Sequence, residues 1–126
     1  MAETKPHVLL VEDDQFMSSL LADGFAREGF DVALAGNGGD AVRLFGEKKP
    51  DVMVVDILLP GRNGLEALRS IRALPGGDGV PAIVLSNLEE ANYIREAELL
   101  GIAAYLVKAN MQIPDIVAKA KEAMRK

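Results

Sequence analysis

This sequence predicts an α/β fold: a doubly wound parallel sheet of five strands, in the order 2-1-3-4-5, with helices on both faces. Three observations lead there. Short apolar runs alternate with amphipathic segments five times along the chain, and strict β–α alternation gives a doubly wound sheet, with too few units for the eight-unit barrel. The runs, such as Val8-Leu9-Leu10-Val11 and Val52-Met53-Val54-Val55, are apolar at every position. That pattern belongs to a parallel sheet covered on both faces. Finally, acids and a lysine stand where three of the runs end, and sheets of this kind bind ligands beyond the carboxyl ends of their strands.

The elements follow in order. The first strand is His7–Val11. The helix after it carries Phe16, Met17, Leu20, Leu21 and Phe25 on one stripe and stops at Gly29. Asp31–Ala35 is a weakly apolar run, read as an edge strand. Asn37 caps a short helix bearing Ala41, Val42, Leu44 and Phe45. The third strand covers 51–57, and Pro60-Gly61 turns the chain. A helix with Leu65, Leu68 and Ile71 follows, broken by Pro75-Gly76-Gly77. The fourth strand is 82–85. Its helix, about 90–100, is thinly apolar and ends at Gly101. The fifth strand is Ala104–Val107. Pro114 opens a last helix, whose Ile116, Val117, Ala120 and Met124 form a buried stripe. Gly36-Asn37-Gly38-Gly39 lacks the spacing of a phosphate loop and reads as a turn.

Composition excludes several classes. The 126 residues fit one domain, expected to span 1–126 with a core of about 7–124 and no effector domain. A net charge of −5 gives no footprint for direct nucleic-acid binding. Without cysteine there is no disulfide, Cys-ligated zinc or thiol catalysis. The single histidine, His7, reads as a solvated strand-start residue, which leaves no Ser-His-Asp triad. No apolar run approaches the ~20 residues of a membrane span, and the polar first five residues are no signal peptide. A cytoplasmic location and no membrane partner are expected.

Asp56 is the residue that asks for an explanation. It lies in Val52-Met53-Val54-Val55-Asp56-Ile57-Leu58-Leu59, where an unpaired buried charge is costly. In the order 2-1-3-4-5 the first and third strands are neighbours, so Glu12 and Asp13 converge on Asp56, while Asp14 is the helix cap. Lys108 ends the fifth strand and Ser86 the fourth. By formal count the three acids bring about −3 and the lysine about +1. A divalent cation restores the balance, and carboxylate, carbonyl and water ligands suit Mg2+. An aspartate beside Mg2+ and a lysine is equipped as a nucleophile toward phosphorus.

These residues carry a resemblance. VLLVEDD at 8–14, DVMVVDILLPGRNGLE at 51–66, PAIVLSN at 81–87 and AYLVKAN at 104–110 make the chain similar to the receiver domains of two-component response regulators, over about 7–124. The resemblance implies a flavodoxin-like fold and a signalling domain rather than an enzyme, with at most slow autophosphatase activity. It implies that Asp56 accepts a phosphoryl group from a sensor histidine kinase or phosphotransfer protein. Glu12 and Asp13, with Asp56 and the Leu58 backbone carbonyl, would organise Mg2+. Ser86 and Lys108 would contact phosphoryl oxygens. Tyr105 would switch with Ser86, and the surface formed by the fourth helix, fifth strand and fifth helix would report the change to a downstream protein.

Departures from the family pattern matter too. The proline usual after the lysine is Ala109, so a trans Lys108–Ala109 bond is expected, because a cis bond before a non-proline residue costs ~2.5–4 kcal/mol. Ala103-Ala104 replaces the acidic pair of one dimerising subfamily, so a monomer or a weak phosphorylation-dependent dimer is expected. Leu58 and Leu88, two residues beyond Asp56 and Ser86, cannot position water, which predicts slow dephosphorylation. Other readings are an aspartyl-phosphate phosphohydrolase, a flavin or nucleotide carrier, and a pseudo-receiver used for contact alone. The first lacks an acid at position 58, and the second lacks a phosphate loop after the first strand. The third is opposed by the presence of all five site groups.

Overall fold

The structure, a computed structural model, describes residues 5–61 and 63–125; the polar residues 1–4, Arg62 and Lys126 lie outside that range. The described chain runs β1 (His7–Val11), α1 (Gln15–Arg27), β2 (Asp31–Ala35), α2 (Gly38–Glu47), β3 (Val52–Val55), α3 (Gly64–Arg72), β4 (Ala82–Ser86), α4 (Ala91–Leu99), β5 (Ala104–Val107) and α5 (Ile113–Met124). A short 3-10 turn, Lys108–Asn110, follows β5 and has no signal in the sequence pattern. All neighbouring strands are parallel, in the order β2-β1-β3-β4-β5. The expected fold is the observed one, and β2 is an edge.

The unbroken apolar runs are explained by burial on both faces. Val8, Leu10, Val52, Val54, Ile83 and Leu85 pack under α1 and α5 with Leu21, Phe25, Ile116 and Val117. The alternate residues Leu9, Val11, Met53 and Val55 pack under α2 and α3 with Ala41, Phe45, Leu68 and Ile71. A smaller cluster of Ile57, Leu65, Val84 and Ala97 sits beneath α4. Ala97 is the one fully buried residue that α4 contributes. This helix is held more lightly than the others.

Ends differ from the sequence reading by a residue or two, for identifiable reasons. β3 stops at Val55 because its register with β4 ends at Val55↔Val84. Asp56 keeps one backbone bond, its N–H donating to Val11 O at 2.9 Å, and the chain then turns away. α4 begins after Glu90, which caps it without a side-chain bond. Asp14 caps α1 as expected, its Oδ1 accepting from Phe16 N and Met17 N. Asn37 caps α2, so the glycine-rich stretch is a turn into a helix. Ser86 is the last residue of β4, one beyond the range expected.

His7 is the correction. It is buried rather than solvated, because β1 begins inside the sheet. Its N–H donates to Asp51 Oδ2 at 2.7 Å, and Asp51 N–H returns a bond to His7 O. This pair lies at the end of the sheet opposite Asp56 and takes no part in the site. Peptide bonds are trans throughout the described residues, Lys108–Ala109 included.

Candidate functional site

Register brings the acids together. Val11 pairs with Val55, so Glu12 and Asp56, one residue further along each strand, emerge side by side at the switch point. Ser86 pairs with Val107, which sets Lys108 one residue past the end of β5. One oxygen each from Glu12, Asp13 and Asp56 lie within 4.8 Å of one another. Glu12, Asp56 and Ser86 are buried, and Asp13 faces solvent. Glu12, Asp13, Asp56, Ser86 and Lys108 all stand at or just past the carboxyl ends of their strands, on one rim of the sheet.

Lys108 is the counter-charge. Its Nζ donates to Asp56 Oδ2 at 2.7 Å and meets Glu12 Oε1 as an ion pair at 2.6 Å. The bonding direction favours Asp56, and Glu12 Oε1 is a buried oxygen with no aligned hydrogen bond. Glu12 Oε2 accepts from Asp14 N, and Asp56 Oδ1 accepts from Leu58 N at 3.3 Å. Burial pushes the Glu12 carboxyl above its ordinary value; Lys108 and the Asp14 N–H offset part of the rise, and Asp56 adds to it. For Lys108 burial acts the other way, but its bonds to Asp56 and Glu12 outweigh that, and its pKa is raised. The lysine is thus held firmly charged. Three carboxylates against one ammonium leave an excess of negative charge. With hard oxygen donors from three carboxylates within 4.8 Å of one another and a single ammonium to balance them, the residues present fit a small divalent cation such as Mg2+.

Two further groups meet at Leu88. Ser86 Oγ accepts from Leu88 N at 3.2 Å, and Tyr105 Oη donates to Leu88 O at 2.5 Å. Both members of the expected switch pair therefore hold the backbone of the same residue, Leu88, in the β4–α4 loop. Burial raises the Tyr105 phenol above its ordinary value, and the charges of Glu90 and Asp56 add to the effect.

Sequence reasoning missed two residues that shape the site. At Gly64, the start of α3, a Cβ would lie 1.8 Å from Asp56 O, so only glycine allows this approach to the Asp56 backbone. Its N–H donates to Ile57 O at 2.7 Å. The signal was the Gly immediately after the capping Asn63, whose box with Glu66 fixes the helix start. Asn87 was the other: its Oδ1 accepts from Ala109 N at 3.0 Å.

Fold and site together define a class: a doubly wound α/β domain with an acid–lysine cluster at the switch point. Comparison with known proteins makes it particular. The model of the response regulator receiver domain matches residues 8–121, and the chain belongs to that family. It is 41% identical over 101 residues to the regulator of RpoS of Escherichia coli, covering 80% of this chain and 29% of that protein. The chain spans from 29% to 54% of the length of the curated relatives it matches. Among solved structures it is similar to the response regulator domain of Thermotoga maritima CheB, at 29% identity and a TM-score of 0.83 over 98% of each chain. Vibrio cholerae chemotaxis protein CheY4, at 19% identity and a TM-score of 0.89 over 95% of this chain and 99% of that one, shares the fold. No helix among the described residues is long and apolar enough to cross a membrane.

Proposed function

We propose that this domain accepts a phosphoryl group on Asp56 from a histidine kinase or phosphotransfer protein, in a Mg2+-dependent reaction, and signals through α4, β5 and α5. One observation carries the reading: Asp56 is buried, bonded to Lys108 at 2.7 Å, and grouped with Glu12 and Asp13. Such a carboxylate has a cationic partner on one side and two further carboxylates on the other, at a site where an anion and a cation can meet.

An Asp56 oxygen forms the new bond to phosphorus as the donor's phosphorus–nitrogen bond breaks, and the bonding pair leaves with the donor nitrogen. Glu12, Asp13 and Asp56, with the Leu58 carbonyl, are the residues that would hold Mg2+. Asp13 and Asp56 would bind directly and Glu12 through water, since Mg2+ sheds its hydration reluctantly. The bound cation supplies positive charge against the carboxylates and the transferring group. Lys108 and Ser86 take phosphoryl oxygens. Where Ser86 Oγ turns toward the phosphoryl group to donate, Leu88 N–H loses its acceptor and Leu88 is left held by Tyr105 alone, so that the loop and Tyr105 can move together. The loop it tethers leads directly into α4, the helix with the thinnest apolar stripe.

The test is incubation with acetyl phosphate and Mg2+, followed by intact mass. A base-labile gain of one phosphoryl group supports the reading. Continuous turnover of the donor would instead indicate a phosphohydrolase, and no gain a contact domain. The exposed Leu58 side chain stands where a hydrolase would carry its acid, which disfavours turnover.

A further inference from the structure

We propose that Asn87 is a positioning residue for phosphoryl transfer: its amide oxygen holds the Ala109 N–H and so ties the loop carrying Lys108 to the loop carrying Ser86. The proposal rests on the phosphoacceptor reading above and adds to it a residue that touches neither phosphoryl group nor metal.

The geometry around Lys108 shows why a tie is needed. Backbone pairing of β4 with β5 ends at Ser86↔Val107. Lys108 therefore lies one residue beyond the ladder, as the first residue of a 3-10 turn of three residues whose start has no side-chain cap. Within the turn the backbone contributes Met111 N to Lys108 O at 3.2 Å. Short 3-10 turns have poor hydrogen-bond geometry and are weak by themselves. Yet Lys108 must carry an ammonium on a flexible four-carbon stem to within bonding distance of Asp56 and Glu12. Its backbone needs a fixed origin.

Asn87 provides one. It follows Ser86, which is fully buried, and precedes Leu88, whose N–H and C=O are both bonded. An acceptor built on such a loop is itself well placed. From there Oδ1 reaches across to Ala109 N at 3.0 Å. The bond joins the residue after Ser86 to the residue after Lys108, extending the pairing of β4 and β5 past the end of the ladder through a side chain. Both phosphoryl-contacting groups are thereby referred to one frame, and small misplacements of such groups lower transfer rates steeply. The link exists because residue 109 has an N–H to give, which a proline would not.

The test compares wild type, Asn87→Ala and Asn87→Asp in the full chain, with acetyl phosphate and Mg2+ as the probe. Two quantities are read: hydrogen exchange of the Ala109 amide in the resting protein, and the phosphorylation rate as a function of acetyl phosphate concentration. Asn87→Ala should speed Ala109 exchange and lower the saturated rate, each by roughly two- to tenfold, the worth of one hydrogen bond. Its donor concentration at half-maximal rate should stay near that of wild type. Asn87→Asp keeps an acceptor oxygen and adds a negative charge. It should rescue the slow exchange and the saturated rate while raising the half-maximal concentration of the anionic donor. A saturated rate for Asn87→Ala equal to wild type, a loss as large in Asn87→Asp, or unchanged Ala109 exchange would each overturn the tie. Failure of wild type to take up any phosphoryl group would overturn the phosphoacceptor reading and the tie with it. Uptake by wild type with an unaffected Asn87→Ala variant overturns the tie alone.

Discussion

Lys108 sets the balance of the resting site, because one ammonium serves two buried carboxylates and bonds in alignment with one of them. Tyr105 senses the same charges from further out. Burial and the charges of Glu90 and Asp56 raise its phenol above the ordinary value of 10.0. The sign is fixed by proton counting. Above pH 10 an unfolded tyrosine loses its proton while the folded phenol keeps it, so the folded state binds more protons and stability falls as pH rises through that interval. In a Tyr93→Phe variant, where Tyr105 alone reports, phenolate absorbance should rise only above the ordinary tyrosine range, and the bond to Leu88 O should be lost with it. A Tyr105 that titrates at its ordinary value would contradict this. Leu58 and Leu88 differ in how free they are. Leu88 packs against the Ile57, Leu65, Val84 and Ala97 cluster, whereas the Leu58 residue is 60% exposed. Once Asp56 is phosphorylated, Leu58→Asn should therefore speed decay more than Leu88→Glu does. A gain of about ten- to a hundredfold corresponds to roughly 1.4–2.7 kcal/mol of barrier. Equal decay in wild type and both variants would show that neither leucine limits the water.

Among the elements, α3 and α4 decide how the rim is held. The start of α3 rests on the Asp56 backbone through Gly64. In Gly64→Ala the new Cβ would meet Asp56 O at 1.8 Å and Val55 Cγ1 at 2.9 Å, so helix and loop must part. Overpacking of this kind costs about 1–3 kcal/mol. The expected result is a lower denaturant midpoint together with weaker Mg2+ binding, because Asp56 moves with its backbone. An unchanged midpoint would show that the loop yields freely. At its other end α3 presents Arg72, whose guanidinium donates to Leu100 O at 2.9 Å, Gly77 O at 2.8 Å, Val80 O at 2.5 Å and Gly101 O at 3.3 Å. This clamp holds the carboxyl end of α4, where a positive charge also complements the helix dipole. The amino end of α4 has no side-chain cap. Motion of α4 should thus be a swing about its Arg72 end. Arg72→Lys keeps the charge but loses the fork. It should cost about 1–3 kcal/mol and raise amide exchange at residues 98–101. Exchange there equal to wild type would dismiss the clamp.

At the scale of the whole molecule, what was legible in the sequence is what strong periodicity and strand-end charges encode. Unbroken apolar runs implied a sheet covered on both faces, and the clusters under α1 and α5 and under α2 and α3 are those coverings. The strand order followed, and from it the meeting of Glu12, Asp13 and Asp56. Contacts that depend on backbone direction were not legible. Nothing in a residue list marks the 3-10 turn at Lys108, the burial of His7 at the start of β1, or the four carbonyls converging on Arg72. Asn87 looked like an ordinary loop residue because its partner is a backbone N–H, present at almost every position. Under the proposed function, this arrangement serves the phosphorylation of one carboxylate, Asp56. The most direct measurement is peptide-resolved mass spectrometry after treatment with acetyl phosphate and Mg2+, on wild type and Asp56→Asn. The prediction is one base-labile phosphoryl group on the peptide containing Asp56 in wild type and none anywhere in Asp56→Asn. A full equivalent retained by Asp56→Asn, or found on another peptide in wild type, would contradict it.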